Sequence, residues 1–407
     1  MKIKNVKKEI RDNKVFLLAE IDLEHQQKTV SVFFSYPEIF FDHVPENADP
    51  FFPIALIAGM YYNENIEILP PVSAKILKKQ QLLQDIFVTW HPDIFHRIKV
   101  EAISYNPEEN LKDSRNATFF SLGVDSFYSL LKHLPENDPN PEQSIDSIIY
   151  MKGLELPLSV YSDGQDIPVI ESIQKVADHY GLEPIYGETN LRDIFQFDWE
   201  DYFFGPGLAS TALSLSDGYG CVYIPSSHSY ATLFPDPSSP LIDSLWSNTK
   251  TYIFHDGAEK ERARKITDLI IHDDFAVSNL RVCVENKGGI YNCGKCWKCV
   301  RSMITLEIVG KLKEAASFPD RLPKNYNLQL RTYVIDSLEF TKENLKLARE
   351  YGRKDIEKKI DKEVRLGKID IFRSGESNLF LVKELFHYFK TRLIRKIGFL
   401  FGKPTRN

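Results

Sequence analysis

Long apolar runs are missing from this 407-residue chain, and none approaches the roughly 20 residues a membrane-spanning helix needs. The opening MKIKNVKKEIRDNK lacks the apolar stretch that follows the basic residues of a secretory signal. A cytoplasmic protein with no membrane span is the expectation. Excess positive charge is missing too: the net charge is −6, which argues against a nucleic-acid-binding surface and leaves room only for a local basic groove. There are no internal repeats and no low-complexity tracts. Cysteine is scarce, with five in all, yet Cys283, Cys293, Cys296 and Cys299 fall in one segment and only Cys221 stands apart. In a reducing compartment, clustered thiols read as metal ligands rather than disulfides.

What is present divides into three segments. Residues 1–112 read as a mixed α+β region, with strands at KVFLLAEIDL, TVSVFFSY and HRIKVEAISY and helices at DPFFPIALIAGMYY and SAKILKKQQLLQDIFVTW. His91 and His96 there read as surface or satisfied histidines rather than ligands. Residues 113–309 alternate strands and helices: ATFF, DSIIYM, EPIYGETN, CVYIPSS, TYIFH and LRVCVE are the strands. Helices follow Gly123 and run over IPVIESIQKVADHYG, closed by Gly181 as a C-terminal cap, over GLASTALSLS, and over AEKERARKITDLII. This alternation predicts an α/β fold with a doubly wound parallel sheet, whose ligands sit beyond the carboxyl ends of the strands. Residues 310–407 read as charged helices. Their basic, aromatic-bearing end, LVKELFHYFKTRLIRKIGFLFGKPTRN, reads either as a helix docked on its own protein or as one for a partner or membrane surface.

The sharpest feature is SLGVDS, Ser121 to Ser126, between the first strand of the alternating segment and an amphipathic helix. A strand-to-helix turn aims free backbone N–H groups and the positive end of a helix dipole at one point. Gly123 permits close backbone approach, Ser121 and Ser126 offer hydroxyls to phosphate oxygens, and Asp125 is a candidate Mg²⁺ ligand. The competing reading makes Ser121 or Asp125 a plain helix cap. Other candidates gather at the same sheet edge: Asn190 and Arg192 after the third strand (or a helix start capped by Asn190 or Thr189), and Ser226, Ser227 and His228 after the fourth. Lys152 and Glu155 follow the second strand. His255 is a candidate acid or base, and Asp256 reads as a helix cap. A second glycine-rich run, GGIYNCGKC from Gly288 to Cys296, has P-loop spacing, but Cys296 replaces the required hydroxyl and the strand–helix context is absent.

In Cys283-x9-Cys293-x2-Cys296-x2-Cys299, four thiolates suit tetrahedral Zn²⁺ in a structural role, with an iron–sulfur cluster as the rival. Gly294 fits the tight turn between the first two close cysteines, while Lys295 and Lys298 balance thiolate charge.

SLGVDS resembles the Ser-Gly-Gly-X-Asp-Ser loop of the PP-loop ATP pyrophosphatases, whose fold is HUP-type and Rossmann-like. That resemblance implies binding of ATP pyrophosphate through Ser121, Leu122, Gly123, Val124, Asp125 and Ser126, with Asn190, Arg192, Ser226 and Ser227 around them, and Asp125 and Ser126 in catalytic roles. Leu122 departs from the pattern, standing where the family has its first glycine. With the four-cysteine knuckle downstream, the chain over about 117–305 is similar to the 7-cyano-7-deazaguanine synthase family of queuosine biosynthesis. The implied activity is adenylation of a carboxylate or carbonyl by ATP with Mg²⁺, releasing pyrophosphate, followed by amide or nitrile formation with ammonia on a small-molecule substrate of the chain's own. Zn²⁺ would sit at the cysteines. A sulfur transferase of the same superfamily and a non-catalytic nucleotide-binding module are the alternatives.

Overall fold

The computed structural model describes residues 1–106, 115–137, 140–162, 164–195, 198–283, 285, 291–330 and 335–374. The basic end from 381 to 407 and Gly289 of the rejected P-loop reading lie outside them. Two compact units divide the chain, Met1–Arg281 and Val282–Asn407.

The first unit is built on one ten-stranded sheet. It opens with β1 (Lys2–Arg11), β2 (Lys14–Leu23) and β3 (Lys28–Pro37). Asp12 and Asn13, both at positive φ, make the tight β1–β2 turn. Strict alternation in β2 buries Val15, Leu17, Ala19, Ile21 and Leu23 on one face. Next come α1 (Phe52–Tyr62), β4 (Ile66–Ser73), α2 (Ala74–Trp90) and β5 (Val100–Tyr105). Helix α1 is apolar on every side and is buried from Phe52 to Met60, as a core helix must be.

The alternating stretch follows as β6 (Arg115–Phe119), α3 (Val124–Lys132), β7 (Ser147–Lys152), α4 (Ile167–Tyr180), β8 (Glu183–Thr189), α5 (Leu191–Ile194), α6 (Phe204–Leu213), β9 (Tyr219–Pro225), β10 (Tyr252–Asp256), α7 (Arg262–Asp268) and α8 (Asp274–Asn279). Gly181 closes α4 at φ +69, as expected of a glycine cap. The strand order is β10-β9-β6-β7-β8-β3-β2-β1-β4-β5, parallel from β10 through β8 and antiparallel through β3, β2 and β1. The result is an α/β architecture with a mostly parallel sheet, mixed where the N-terminal strands join it.

Two side chains make that junction. The Thr189 hydroxyl donates to the Phe33 carbonyl at 2.7 Å, while Asn190 accepts from the Phe33 N–H at 3.0 Å and donates to the Ser31 carbonyl at 2.8 Å. They extend the short β3–β8 ladder beyond Phe34↔Thr189. Within the parallel set, β6 is the first strand in the chain. Strands β7 and β8 lie to one side of it, and β9 and β10 to the other. The order in which the chain adds parallel strands therefore changes direction between β6 and β9.

Two expected elements differ. LRVCVE is not a strand over its described residues 280–283 and 285, because its backbone donors go elsewhere: Arg281 N–H to the Leu122 carbonyl at 2.8 Å and Val282 N–H to Asn292 Oδ1 at 2.9 Å. The helix expected over AEKERARKITDLII is short, since Gly257 at φ +87 and an extended Glu261 delay its start to Arg262.

The second unit holds α9 (Trp297–Ile308), α10 (Ile335–Glu350) and α11 (Lys354–Ser374). Asn344 on α10 accepts from Thr305 Oγ1 at 2.8 Å and donates to the Arg301 carbonyl at 3.2 Å, pinning α10 to α9. Arg301 lies over the Phe340 ring at 4.0 Å. Among the described residues no helix is long and apolar enough to cross a membrane.

Candidate functional site

The turn after β6 begins α3 at the reversal between β6 and β9. The Leu122 backbone is left-handed at φ +66, and the Leu122 side chain is fully buried. Its carbonyl points back to the Arg281 N–H. Gly123 is extended at φ −76, and a Cβ there would stand 3.2 Å from Ser121 Oγ. A side chain here would be a tight fit that a small shift of the exposed Ser121 hydroxyl could relieve, and the dihedral does not call for glycine. The Ser126 hydroxyl donates to the Gly123 carbonyl at 3.1 Å and accepts the Ser121 N–H at 3.3 Å, which closes the turn on itself. Ser121 stays exposed, and so does Ser227 at the end of the neighbouring β9. Gly123 is the N-cap of α3, so neither Ser121 nor Asp125 holds the cap position, and Asp125 lies in the first turn.

Asp125 is instead held by two cations from α7. Arg262 grips it with a fork, Nε to Oδ1 at 3.2 Å and Nη2 to Oδ2, and Lys265 Nζ reaches Oδ1 at 3.1 Å. Burial alone would push this carboxyl up, but the charges of Arg262 and Lys265 outweigh it and hold Asp125 well below the usual carboxylate range. Lys265 is fully buried. Its ammonium also donates to the Ser226 carbonyl and lies 5.6 Å from the Tyr128 ring centre. The Ser226 N–H donates to the Asp256 carbonyl at 2.7 Å. One lysine therefore ties the turn after β6 to the turn after β9.

Of the other candidates, Ser226 lies in this cluster and Ser227 beside it. Asn190 is spent on β3, and makes no helix cap. Arg192 donates to the Leu154 carbonyl at 3.0 Å, to the Glu155 carbonyl, and to Glu200 at 2.8 Å, so its guanidinium is occupied by the segment after β7 and by Glu200. Lys152 pairs with Asp166 at 3.0 Å, and Glu155 lies 3.7 Å from Arg281. His255 Nδ1 meets the buried Asp243 at 2.7 Å, and Ser238 donates to the same carboxylate at 2.8 Å. The carboxylate lies between hydroxyl and imidazole, so no nucleophile–base pair is formed. Asp256 is not a helix cap. It ends β10, and its buried carboxylate takes Lys132 at 2.7 Å and His133 at 3.2 Å. Sequence reading passed over Arg262 and Lys265. Their signal was an R-x-x-K spacing, which puts two cations on one helical face just after the last parallel strand.

The four cysteines form a separate cluster in the second unit. Their sulfurs all lie within 4.8 Å of one another, with Cys293–Cys299 at 3.9 Å and Cys283–Cys296 at 4.0 Å. A tetrahedron of zinc–sulfur bonds of about 2.3 Å has edges of about 3.8 Å, so the donor set fits such an ion. Backbone N–H groups of Lys295 and Cys296 point at Cys293 Sγ at 3.4 and 3.2 Å, and that of Cys299 points at Cys296 Sγ at 3.5 Å. Donors so placed stabilise thiolates. Gly294 has φ +65, and a Cβ there would meet Pro319 at 2.5 Å, so only glycine fits. Buried Asn292 braces the knuckle, accepting from Val282 N–H and donating to the Ser317 carbonyl at 3.0 Å. Cys221 lies apart in β9, its thiol pushed up to about 12 by burial.

No family model, curated protein or solved structure matches the chain. Its own geometry defines an α/β protein with a mostly parallel sheet and four cysteines at metal-binding separation, compatible with zinc or an iron–sulfur cluster.

Proposed function

We propose that this chain is an ATP-dependent adenylating enzyme with a doubly wound, PP-loop-type nucleotide domain. It would convert ATP to AMP and pyrophosphate while activating a substrate carboxylate or carbonyl for amide- or nitrile-type bond formation. The observation that carries this reading is Asp125, on the first turn of α3 at the sheet's winding reversal, gripped by Arg262 and Lys265. The polyphosphate would lie over the start of α3, where the first-turn N–H groups and the Ser121 hydroxyl face it. Lys265 and Arg262 would offset the negative charge that grows on the departing pyrophosphate. The substrate carboxylate oxygen attacks the α-phosphorus, the bond to the β-phosphate bridge breaks, and a nitrogen nucleophile such as ammonia then displaces AMP from the acyl adenylate.

Mg²⁺ would shield polyphosphate charge. The Asp125 carboxylate would supply a hard oxygen suited to an ion that keeps several waters. In the second unit, Cys283, Cys293, Cys296 and Cys299 would hold Zn²⁺ with no open position, in a structural role. Leu122 keeps its side chain in the core, out of the cradle, which favours a working loop over a blocked one. The test is AMP release from ATP with ammonia and a panel of small carboxylates. Asp125→Ala is expected to cut AMP formation at least 100-fold with the far-ultraviolet circular dichroism unchanged. AMP formed at the wild-type rate would refute the assignment.

A further inference from the structure

The turn Ser121–Ser126 lies between two loops that leave the same edge of the sheet, because β7 and β9 flank β6 and all three run parallel. The loop after β9 is anchored at both ends. At its start the Ser226 carbonyl accepts from Lys265, the Ser226 N–H donates to the Asp256 carbonyl at 2.7 Å, and the Tyr230 N–H donates to the Ala258 carbonyl at 2.7 Å. At its end Asp243 accepts from Ser238 at 2.8 Å and meets His255 at 2.7 Å. Between these anchors the run YATLFP, Tyr230 to Pro235, turns apolar side chains to solvent: Tyr230 is 58%, Leu233 47% and Phe234 37% exposed. The Phe234 ring stands edge-on to His228 at 4.7 Å, which orients it without burying it. On the other flank, after β7, Leu156 and Val160 are exposed as well. A run of exposed apolar residues at the ligand edge of a parallel sheet marks a surface that a ligand covers.

Charge and size decide what that ligand is. From Ser226 to Leu241 there is no lysine or arginine and a single carboxylate, Asp236, which accepts from the Ser238 N–H at 2.9 Å. Such a surface offers no cation to a phosphate or to a nucleic-acid backbone. The six residues of the run also fall far short of the roughly 20–30 residues a side of a stable protein interface. An apolar part of a small molecule matches both limits. We propose that the substrate is a carboxylic acid with an aliphatic or aromatic body, which lies against Tyr230, Leu233 and Phe234 while its carboxylate is directed to the nucleotide at Ser121–Ser126. This names the substrate class of the reaction proposed above and rests on that reading. Sugar acids and diacids are disfavoured, because their extra hydroxyls and charges would lose water at this loop without gaining partners.

The experiment is a ligand-observed NMR titration of the full zinc-loaded chain with octanoate, 3-phenylpropanoate, glucuronate and glutarate, with Mg²⁺ and α,β-methylene-ATP present. The two apolar acids are expected to bind at least tenfold more tightly than the two polar ones. Combined Leu233→Ser and Phe234→Ser changes are expected to weaken the apolar acids at least tenfold. Ile103→Ser, which removes a side chain 65% exposed on β5 at the far end of the sheet, is expected to change nothing. Thermal melts of each variant confirm that it is folded. Apolar acids that bind no more tightly than polar ones overturn the proposal. So does binding that the double substitution leaves intact, or that Ile103→Ser weakens equally. AMP release from ATP with ammonia and the same four acids separates the two ideas. Apolar acids that bind at the loop yet release no AMP refute adenylation and leave the apolar-acid site standing. AMP released with glucuronate or glutarate, but not with the apolar acids, supports adenylation and overturns the apolar substrate.

Discussion

Leu122 holds a left-handed backbone while its side chain is fully buried. A residue with a Cβ is disfavoured there by about 1–2 kcal/mol. The core contacts of the leucine and the Arg281 N–H on its carbonyl keep the turn in that shape. Leu122→Gly relieves the backbone cost but empties a core site, where loss of a leucine side chain typically costs about 2–5 kcal/mol. The variant is expected to be less stable by a few kcal/mol in urea unfolding, yet to bind pyrophosphate within about threefold of wild type. A loss of binding tenfold or more would put the Leu122 side chain in the cradle after all. Asp125 carries the opposite lesson. SLGVDS shows that a carboxylate belongs to the turn, but its partners lie 137 and 140 residues away on α7. No local pattern connects them.

At the scale of elements, the helices and parallel strands follow from periodicity and caps. Phe127, Leu130 and Leu131 fall on the buried side of α3, and Gly181 ends α4. LRVCVE fails as a strand because β-branched and apolar residues suit a pleated ladder only if a partner strand is there. Here the Leu122 carbonyl and Asn292 take the donors instead. The clustering of the four cysteines was legible in the sequence, with two C-x-x-C spacings bringing three sulfurs together through a tight turn and Cys283 joining them from ten residues upstream. Its energetic weight is testable. Cys293→Ser is expected to abolish bound metal, by elemental analysis, and to lower the thermal stability of the second unit, because an ion held by folded ligands adds its binding free energy to folding. Chelation of wild type should have the same effect. Unchanged melting with full metal content in Cys293→Ser would exclude the knuckle.

The whole molecule carries buried carboxylates of two kinds, and they respond oppositely to pH. Asp125 and Asp256 are held low: burial would raise both, but Arg262 and Lys265 in one case, and His133 and Lys132 in the other, outweigh it. Their stabilisation is present above an unfolded value of about 3.9 and is lost as pH falls through their lower folded values. Asp49 is fully buried with no cation at hand. It accepts from Ser73 N–H at 2.7 Å, Asn248 at 3.0 Å and Tyr105 at 3.4 Å, and burial pushes it up to about 6. Between about pH 4 and 6 the folded state then holds the extra proton, so this group's contribution falls as pH rises. Asp49→Ala should be less stable throughout, and its urea midpoint should drop less between pH 4 and 6 than that of wild type. An unchanged slope would mean that Asp49 does not titrate there.

Spacing alone marked the Ser121–Ser126 turn, the cysteine cluster and the alternation of strands and helices, because each depends mainly on residues close in the chain and on short-range backbone geometry. Joining β3 to β8 through Thr189 and Asn190, turning Arg192 onto the segment after β7 and bringing Arg262 and Lys265 onto Asp125 needed the folded chain. Those are meetings between distant segments. Which donor finds which acceptor there is settled by strand order and by the high cost of leaving a buried charge unpaired.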